Sequence, residues 1–462
     1  MQQICAGLLL LTVGPVWAQV SSAPAQSAPA TPGASSDDAS SASTTDVDRM
    51  QTPPQVNGTA YTTDFTSEER SNYVRAGIMF TSAYSDNAIG SVNGQAVSDI
   101  SYSVMPTIAL DETTPRTHWL LSYAPGFTFY QREGSRNEAD QNAGIDFQYR
   151  LSPHVTLSAH DGFQKSSDIF NQPDAGAVTV TGGTQTPNFS VIAPIADRLS
   201  NSGNVGLGYQ FGLNSMVGAS GSFSNLHYPD ASQVPGLYDS SSQGGSVFVS
   251  FRASKVNYFG ATYQYARLLS YPTTGLNETQ THAALFFYTV YLAPKFSISV
   301  FGGPQYSDTV APQLTQPPTP ATDTRSWTPA AGASVSWQGR LTGAAVSYAR
   351  VISSGGGLSG AVHMDSASAA VRQRIVPNLT AALSGAYTNN QVLSGSLPVS
   401  NNGHTIQAGA LLQQQLGQNF SLQLGYTRLH QTYSNVPLFS STPDTNREFV
   451  SLSYQFSRPL GR

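Results

Sequence analysis

The sequence predicts an all-β protein: a transmembrane, antiparallel, up-and-down β-barrel of about 18 strands behind a disordered N-terminal tail. Three observations predict it. Charged residues are only 11% of the 462, less than half the roughly 25% of an ordinary soluble domain. From Tyr73 to Phe456, segments of about ten to fourteen residues alternate apolar with small or polar side chains, the pattern of a strand with one apolar face. Soluble sandwiches alternate too, but their strands average about five or six residues; a bilayer requires about ten, tilted. The breaks between segments, finally, alternate between short and long.

Residues 1–18 precede the barrel as an export leader. Ile4–Val16 is apolar and ends at Val16-Trp17-Ala18, a small-residue cleavage pattern. Residues 19–72 form a Ser/Ala/Pro-rich tail; up to about Ala60 they hold almost nothing to bury, a composition that cannot repay the entropy of ordering. The barrel then occupies residues 73–462. Ile100, Tyr102, Val104, Ile108 and Leu110 mark one of its strands, and Ala143, Ile145, Phe147, Tyr149 and Leu151 another. Val450, Leu452, Tyr454 and Phe456 mark the last. Short breaks fall at Asp111–Arg116, Ser152–His154, Leu213–Asn214, Ser254–Lys255, Ala293–Lys295, Gln338–Arg340, Val376–Asn378 and Gly417–Asn419. The longer ones include Asp86–Ser98, Ser166–Asp197, Asn225–Ser242, Asp308–Arg325, Asn389–Gly403 and Tyr433–Thr445. Nine hairpins put both termini on the side of the short turns, the periplasm of an outer membrane. A missed or doubled strand would make the count 16 or 20.

Composition excludes several classes. Three lysines, Lys165, Lys255 and Lys295, make no basic patch for nucleic acid. The single cysteine, Cys5, rules out a disulfide scaffold. No apolar run long enough for a membrane helix follows the first twenty positions. Gly-x-Ser-x-Gly, HExxH and phosphate-loop motifs are absent, and the eight histidines have no metal-ligand spacing. A non-enzymatic barrel without cofactor or metal is therefore expected.

Strand parity sorts the candidate residues. Arg75, Arg150, Arg252 and Arg372 share faces with Ser, Gly and Gln, point inward, and lie near the short-turn end. A guanidinium ring at that mouth would favour anions; rim residues paired with turn carboxylates are the bland reading. Tyr265-Ala266-Arg267, Tyr348-Ala349-Arg350 and Tyr426-Thr427-Arg428 end upward strands with Tyr and Arg outward. Arg267, Arg350 and Arg428 could meet lipopolysaccharide phosphates, or snorkel at the interface. Trp119, Trp337, Tyr258, Tyr265, Tyr288, Tyr348, Tyr426 and Tyr454 lie near strand ends, as an aromatic girdle would. Parity also puts Asp161 on the lipid face, where charge is costly; the adjacent Gly162 suggests a bulge that turns it inward.

Several short stretches carry a resemblance: Ala83-Tyr84-Ser85-Asp86-Asn87, Gly303-Pro304-Gln305-Tyr306, and Ser347-Tyr348-Ala349-Arg350 followed by Ser354-Gly355-Gly356-Gly357. Together they resemble the porin-like outer-membrane barrels often encoded with exopolysaccharide systems. The resemblance implies passive diffusion of small hydrophilic solutes or saccharides. An exopolysaccharide export conduit with a periplasmic partner docked on the tail stays open, as does a non-conducting structural or adhesive barrel. Outer-membrane lipid, lipopolysaccharide and the barrel assembly machinery are the implied partners, with a homo-trimer as a further option. By analogy with general porins, the longest loop, Ser166–Asp197, would fold inward through Val178-Thr179-Val180 and Phe189–Ile192 and narrow the channel.

Overall fold

Eighteen strands hydrogen-bond in chain order into one closed antiparallel sheet. A computed structural model describes residues 72–88, 96–166, 197–230, 236–272, 275–293, 295–311, 314–315, 318–319, 322–393, 402–434, 436 and 444–460. The leader, nearly all of the tail, and the Val178–Val180 and Phe189–Ile192 segments lie outside the described residues.

The strands are β1 (Tyr73–Ser85), β2 (Asp99–Thr113), β3 (Thr117–Tyr130), β4 (Glu138–Arg150), β5 (Val155–Ser166) and β6 (Arg198–Gly212). Then come β7 (Ser215–His227), β8 (Ser240–Arg252), β9 (Asn257–Ser270), β10 (Asn277–Ala293) and β11 (Phe296–Ala311). The two-residue strands β12 (Leu314–Thr315) and β13 (Pro318–Thr319) pair only with each other. The wall resumes with β14 (Thr322–Gln338), β15 (Thr342–Ser353), β16 (Val362–Val376), β17 (Leu379–Val392), β18 (Gly403–Leu416), β19 (Phe420–Tyr433) and β20 (Asp444–Pro459). The sequence-based count of 18 therefore holds.

The wall strands run from 12 to 17 residues, long enough to cross a bilayer when tilted. Closure is made by β1 and β20, which pair from Tyr73↔Pro459 to Ser85↔Arg447. No wall strand is left with an open edge, so every strand can present its side to lipid without orphaned backbone groups.

Alternation places opposite chemistries on the two faces. Phe80, Tyr102, Phe127, Leu207, Val247, Phe286, Val346, Leu383, Leu424 and Val450 point outward and are exposed. Many inward positions are small or hydroxylic and are joined across strands: Thr81 to Ser451 at 2.7 Å, Ser421 to Ser453 at 2.6 Å, Ser347 to Ser368 at 2.7 Å. Leu285, Phe287 and Phe301 form a small apolar cluster on the same inward face. An apolar outside around a polar inside is the reverse of a soluble protein, and it matches a barrel dissolved in lipid. Sheets of this strand number leave a lumen that wall side chains do not fill.

Two expectations are corrected. Asp161 is not turned inward by a bulge: it pairs in unbroken register with Ile145 on β4 and Gly203 on β6, between Phe163 and Ala159. It stays on the outward face. Register shifts do occur, but at Gln210/Gly212, Tyr291/Ala293 and Arg374/Val376, beside short turns. There a bulge bends the strand end without altering the wall. Tyr258 is the second correction. It points inward, packs with Met216 and meets Tyr291 edge-on at 5.7 Å, so it leaves the girdle. Trp119, Trp337, Tyr288, Tyr348, Tyr426 and Tyr454 are exposed on the outside as expected, and Tyr265 shares the outward face of Tyr263 and Arg267.

The two faces make a testable difference. Leu383 on β17 is 62% exposed on the outer wall. Leu383→Arg is expected to cost about 2–4 kcal/mol of folding stability in lipid vesicles, measured as a lowered denaturant midpoint. An unchanged midpoint would show that this face does not meet hydrocarbon.

Candidate functional site: the lumen and the loops across its mouth

The arginines expected inside do lie on the inward face near the short-turn end, but no two of them stand on neighbouring strands. They belong to β1, β4, β8 and β16 and ring the mouth. Arg75 is buried and lies 3.7 Å from the Asp111 carboxylate. Arg252 donates at 2.9 Å to both the Asn214 side chain and the Leu213 carbonyl, fastening the β6–β7 turn. Arg150 continues the inward row of Asp146 and Gln148, and Arg372 lies opposite Gly343 and Ala382. At least two of the four thus have a structural duty as well as a position in the field of the pore. Sequence reasoning missed Arg198 and Arg447, inward and buried at the long-connection end, because each sits at the exit of a long break where parity has no reference strand.

The inward acids fall on one sector. Asp111 on β2 and Asp140 and Asp146 on β4 are all buried. His160 Nδ1 sits 2.6 Å from Asp146 Oδ1, while its sequence neighbour Asp161 faces lipid. The two cannot form a dyad, as strand geometry requires.

At the long-connection end the structure shows a feature the sequence did not announce. The segment after β7 and the one after β15 cross the mouth and meet. Leu226, Tyr228, Leu237, Leu358, Val362, Met364, Ala386, Tyr433 and Val436 form one buried apolar cluster. It joins the β7 side of the wall to β16, β17 and β19, which stand well around the circumference. Polar bonds hold the crossing in place. The Tyr238 amide donates to the Gly357 carbonyl at 2.7 Å and the Tyr228 amide to Asp239 Oδ1 at 2.9 Å. Ser270 Oγ reaches the Leu358 carbonyl at 3.3 Å, and Asn277 Nδ2 the Ser359 carbonyl at 3.1 Å. Gly355, Gly356, Gly357 and Gly360 all have positive φ, the left-handed region that favours glycine. At Gly357 a Cβ would also come within 2.7 Å of the Tyr228 hydroxyl. Full burial in this cluster pushes the Tyr228 phenol above its ordinary range. The Ser354–Gly357 run was visible in the sequence, but nothing there said which way the loop folds. The expected pore loop within Ser166–Asp197 has its residues 167–196 outside the described part.

The outer rim carries a second repeated device. Arg267, Arg350 and Arg428 all point outward, and each meets a carboxylate on the next strand. Arg267 binds Glu278 through two bonds, 2.7 Å and 2.8 Å. Arg350 lies 3.7 Å from Asp365, and Arg428 2.9 Å from Asp444. Arg325, not singled out from the sequence, sits 3.2 Å from Asp308 and 2.9 Å from Asp323. Lipopolysaccharide phosphates would therefore meet guanidiniums already matched by acids, and the belt is close to neutral.

No protein-family model matches the chain, and no curated protein matches it in sequence. Solved structures do match in fold. The ferric citrate transporter FecA, unliganded, aligns over 81% of this chain with a TM-score of 0.42 and 10% identity; this chain spans 63% of its length. OccAB4 of Acinetobacter baumannii aligns over 84% of this chain and 99% of its own, with a TM-score of 0.40 and 9% identity. OccK2 (OpdF) of Pseudomonas aeruginosa aligns over 84% and 98%, with a TM-score of 0.42 and 10% identity.

The mouth crossing gives a prediction. Gly357→Val should displace Tyr228, release the 354–361 segment and speed limited proteolysis there severalfold, with heat-modifiable gel mobility retained. Equal cleavage of variant and wild type would mean the glycine has no such duty.

Proposed function

We propose that the protein is a porin-like channel of the outer membrane for passive diffusion of small hydrophilic solutes or saccharides. One observation carries the reading: a closed 18-stranded wall that is apolar outside and hydroxyl-lined inside. A polar inner face in a wall of this strand number suits a watery path. In this reading the short turns and both chain ends face the periplasm, and the crossing segments guard the outer mouth. The interior combines Ser, Thr and Gln with the acids Asp111, Asp140 and Asp146 on one sector and with arginines spread around its inner rim. Solutes that exchange water for hydroxyl contacts pass; large apolar ones gain nothing from entering. Selectivity comes from two places, the rim field at the periplasmic end and the apolar constriction at the other.

Single-channel recording in a planar bilayer tests this. Discrete open steps are expected, and Tyr228→Ala should raise the unitary conductance by about twofold or more by opening the crossing. A reversal potential on the anion-selective side is also expected in a salt gradient, lost when Arg75, Arg150, Arg252 and Arg372 are all neutralised. Silence from protein that is folded by gel mobility, in wild type and in Tyr228→Ala alike, would contradict a channel. An unchanged reversal potential in the quadruple variant would remove the rim from the mechanism.

A further inference from the structure

Charge is unevenly placed along the barrel axis. Within five residues of the short turns or of the barrel's chain ends, the described residues include ten lysines and arginines against three acids, Asp111, Glu112 and Asp146. Beside the four rim arginines stand Arg374 and Arg458 near strand ends, and Arg116, Lys255, Lys295 and Arg340 in four of the turns. Within five residues of the long connections the balance reverses, with fourteen acids against nine bases. There Arg267, Arg325, Arg350 and Arg428 are each matched by a carboxylate. The four turn bases are exposed, and among the described residues none of them meets a carboxylate.

The tail has the opposite sign. Residues 19–71 hold seven acids, from Asp37 to Glu69, and only Arg49 and Arg70 as bases, a net charge of −5. That equals the formal charge of the whole chain, so residues 72–462 are neutral overall. The tail joins β1 at Tyr73, two residues before Arg75, and is therefore delivered to the cationic end. Eighteen tilted strands about 4.8 Å apart enclose a mouth roughly 35 Å across. A random coil of the length between Asp37 and Tyr73 spans about 30 Å, and an extended chain more.

Single exposed ion pairs are weak, and a free acidic peptide would leave such a surface. A covalent tether holds the partner at an effective concentration in the millimolar range, where several weak contacts suffice. Contacts of this kind need no packed core, which suits a segment with almost nothing to bury.

We infer that the acidic tail, residues 37–69, docks on the cationic short-turn face of its own barrel, where its carboxylates offset the turn bases and the rim arginines. The docking stands on charge and chain connection alone; its effect on ion selectivity rests on the channel reading above. With the tail in place the mouth keeps a small positive excess, so anion preference is damped and not reversed.

Energy transfer within the full chain in lipid vesicles tests the docking without recourse to conduction. On a Cys5→Ser background, dyes are placed at Ser43→Cys in the tail and at Ala253→Cys in the β8–β9 turn, well around the mouth from β1. Transfer should be high at about 20 mM salt and fall at least twofold at about 500 mM, where screening shortens the reach of a charge to about 4 Å. Replacing the seven tail acids by Asn or Gln should give low transfer at both salts. Changing Arg116, Lys255, Lys295 and Arg340 to Gln should lower it as well, and neither set touches a strand of the wall. Transfer that ignores salt and is the same in the neutral-tail variant would overturn the docking. So would low transfer in wild type together with binding of an added poly-glutamate peptide that is unaffected by the tail acids, a result that would assign the face to a diffusible acidic partner. In planar bilayers the neutral-tail variant should raise the anion-to-cation permeability ratio at least twofold. Salt-sensitive transfer in a barrel that never conducts would uphold the docking and contradict the channel.

Discussion

The hydrogen bonds between β1 and β20 are the constraint on which the rest of the structure depends. Those strands are separated by almost the whole chain, and their pairing costs more loop entropy than any other in the wall. Without it two strands would present bare N–H and C=O groups to hydrocarbon, which no side chain could offset. With it, every wall strand is equivalent, and alternation alone decides what meets lipid and what meets the lumen. The hydroxyl pair Thr81–Ser451, on these two strands, extends the seam on the inner face.

Once closure is fixed, the remaining chemistry is a matter of ends. Turns on one side are short because the chain only needs to reverse, so they hold little beyond fastenings such as Arg252 on Asn214. The other side is free to carry segments that do something. Two of them meet over the lumen in an apolar cluster around Tyr228 and Leu358. An apolar crossing is suited to a mouth because it excludes water unless displaced, whereas a polar crossing would simply be wetted. The arginine–carboxylate pairs on the outer rim serve the same geography. Each of these arginines reaches a carboxylate on an adjacent strand where the wall leaves hydrocarbon, and matching the charge keeps the guanidinium from being carried alone into the interface.

Most of the wall was legible in the sequence because its period is enforced by two solvents at once. A strand such as β4, with Ile145, Phe147 and Tyr149 on one side and Asp146 and Gln148 on the other, has only one tolerable orientation. The inward placement of Arg75 and Arg150, and the outward placement of Arg267, Arg350 and Arg428, follow directly. Reading failed where that pressure is weak. Tyr258 lies two residues from a turn, and tyrosine is content on either face at such a depth. The cost of a lipid-facing charge argues for a bulge at Asp161, but the ladder on both sides of β5 is regular. The partners of the rim arginines were missed because they are cross-strand neighbours, which depend on register between strands and not on spacing within one. The meeting of the loops depends on three-dimensional reach alone.

One parity of every wall strand is expected in water and the other in lipid. Cysteine scanning along β19 checks this division, using a membrane-impermeant, water-soluble thiol reagent on the protein in vesicles. Cysteines replacing Ser421 and Gln423 on the inward face should be labelled, and those replacing Leu422 and Leu424 on the outward face should not. Labelling of both sets would place the outer face in water, and labelling of neither would mean that the lumen is dry; either result would contradict the account.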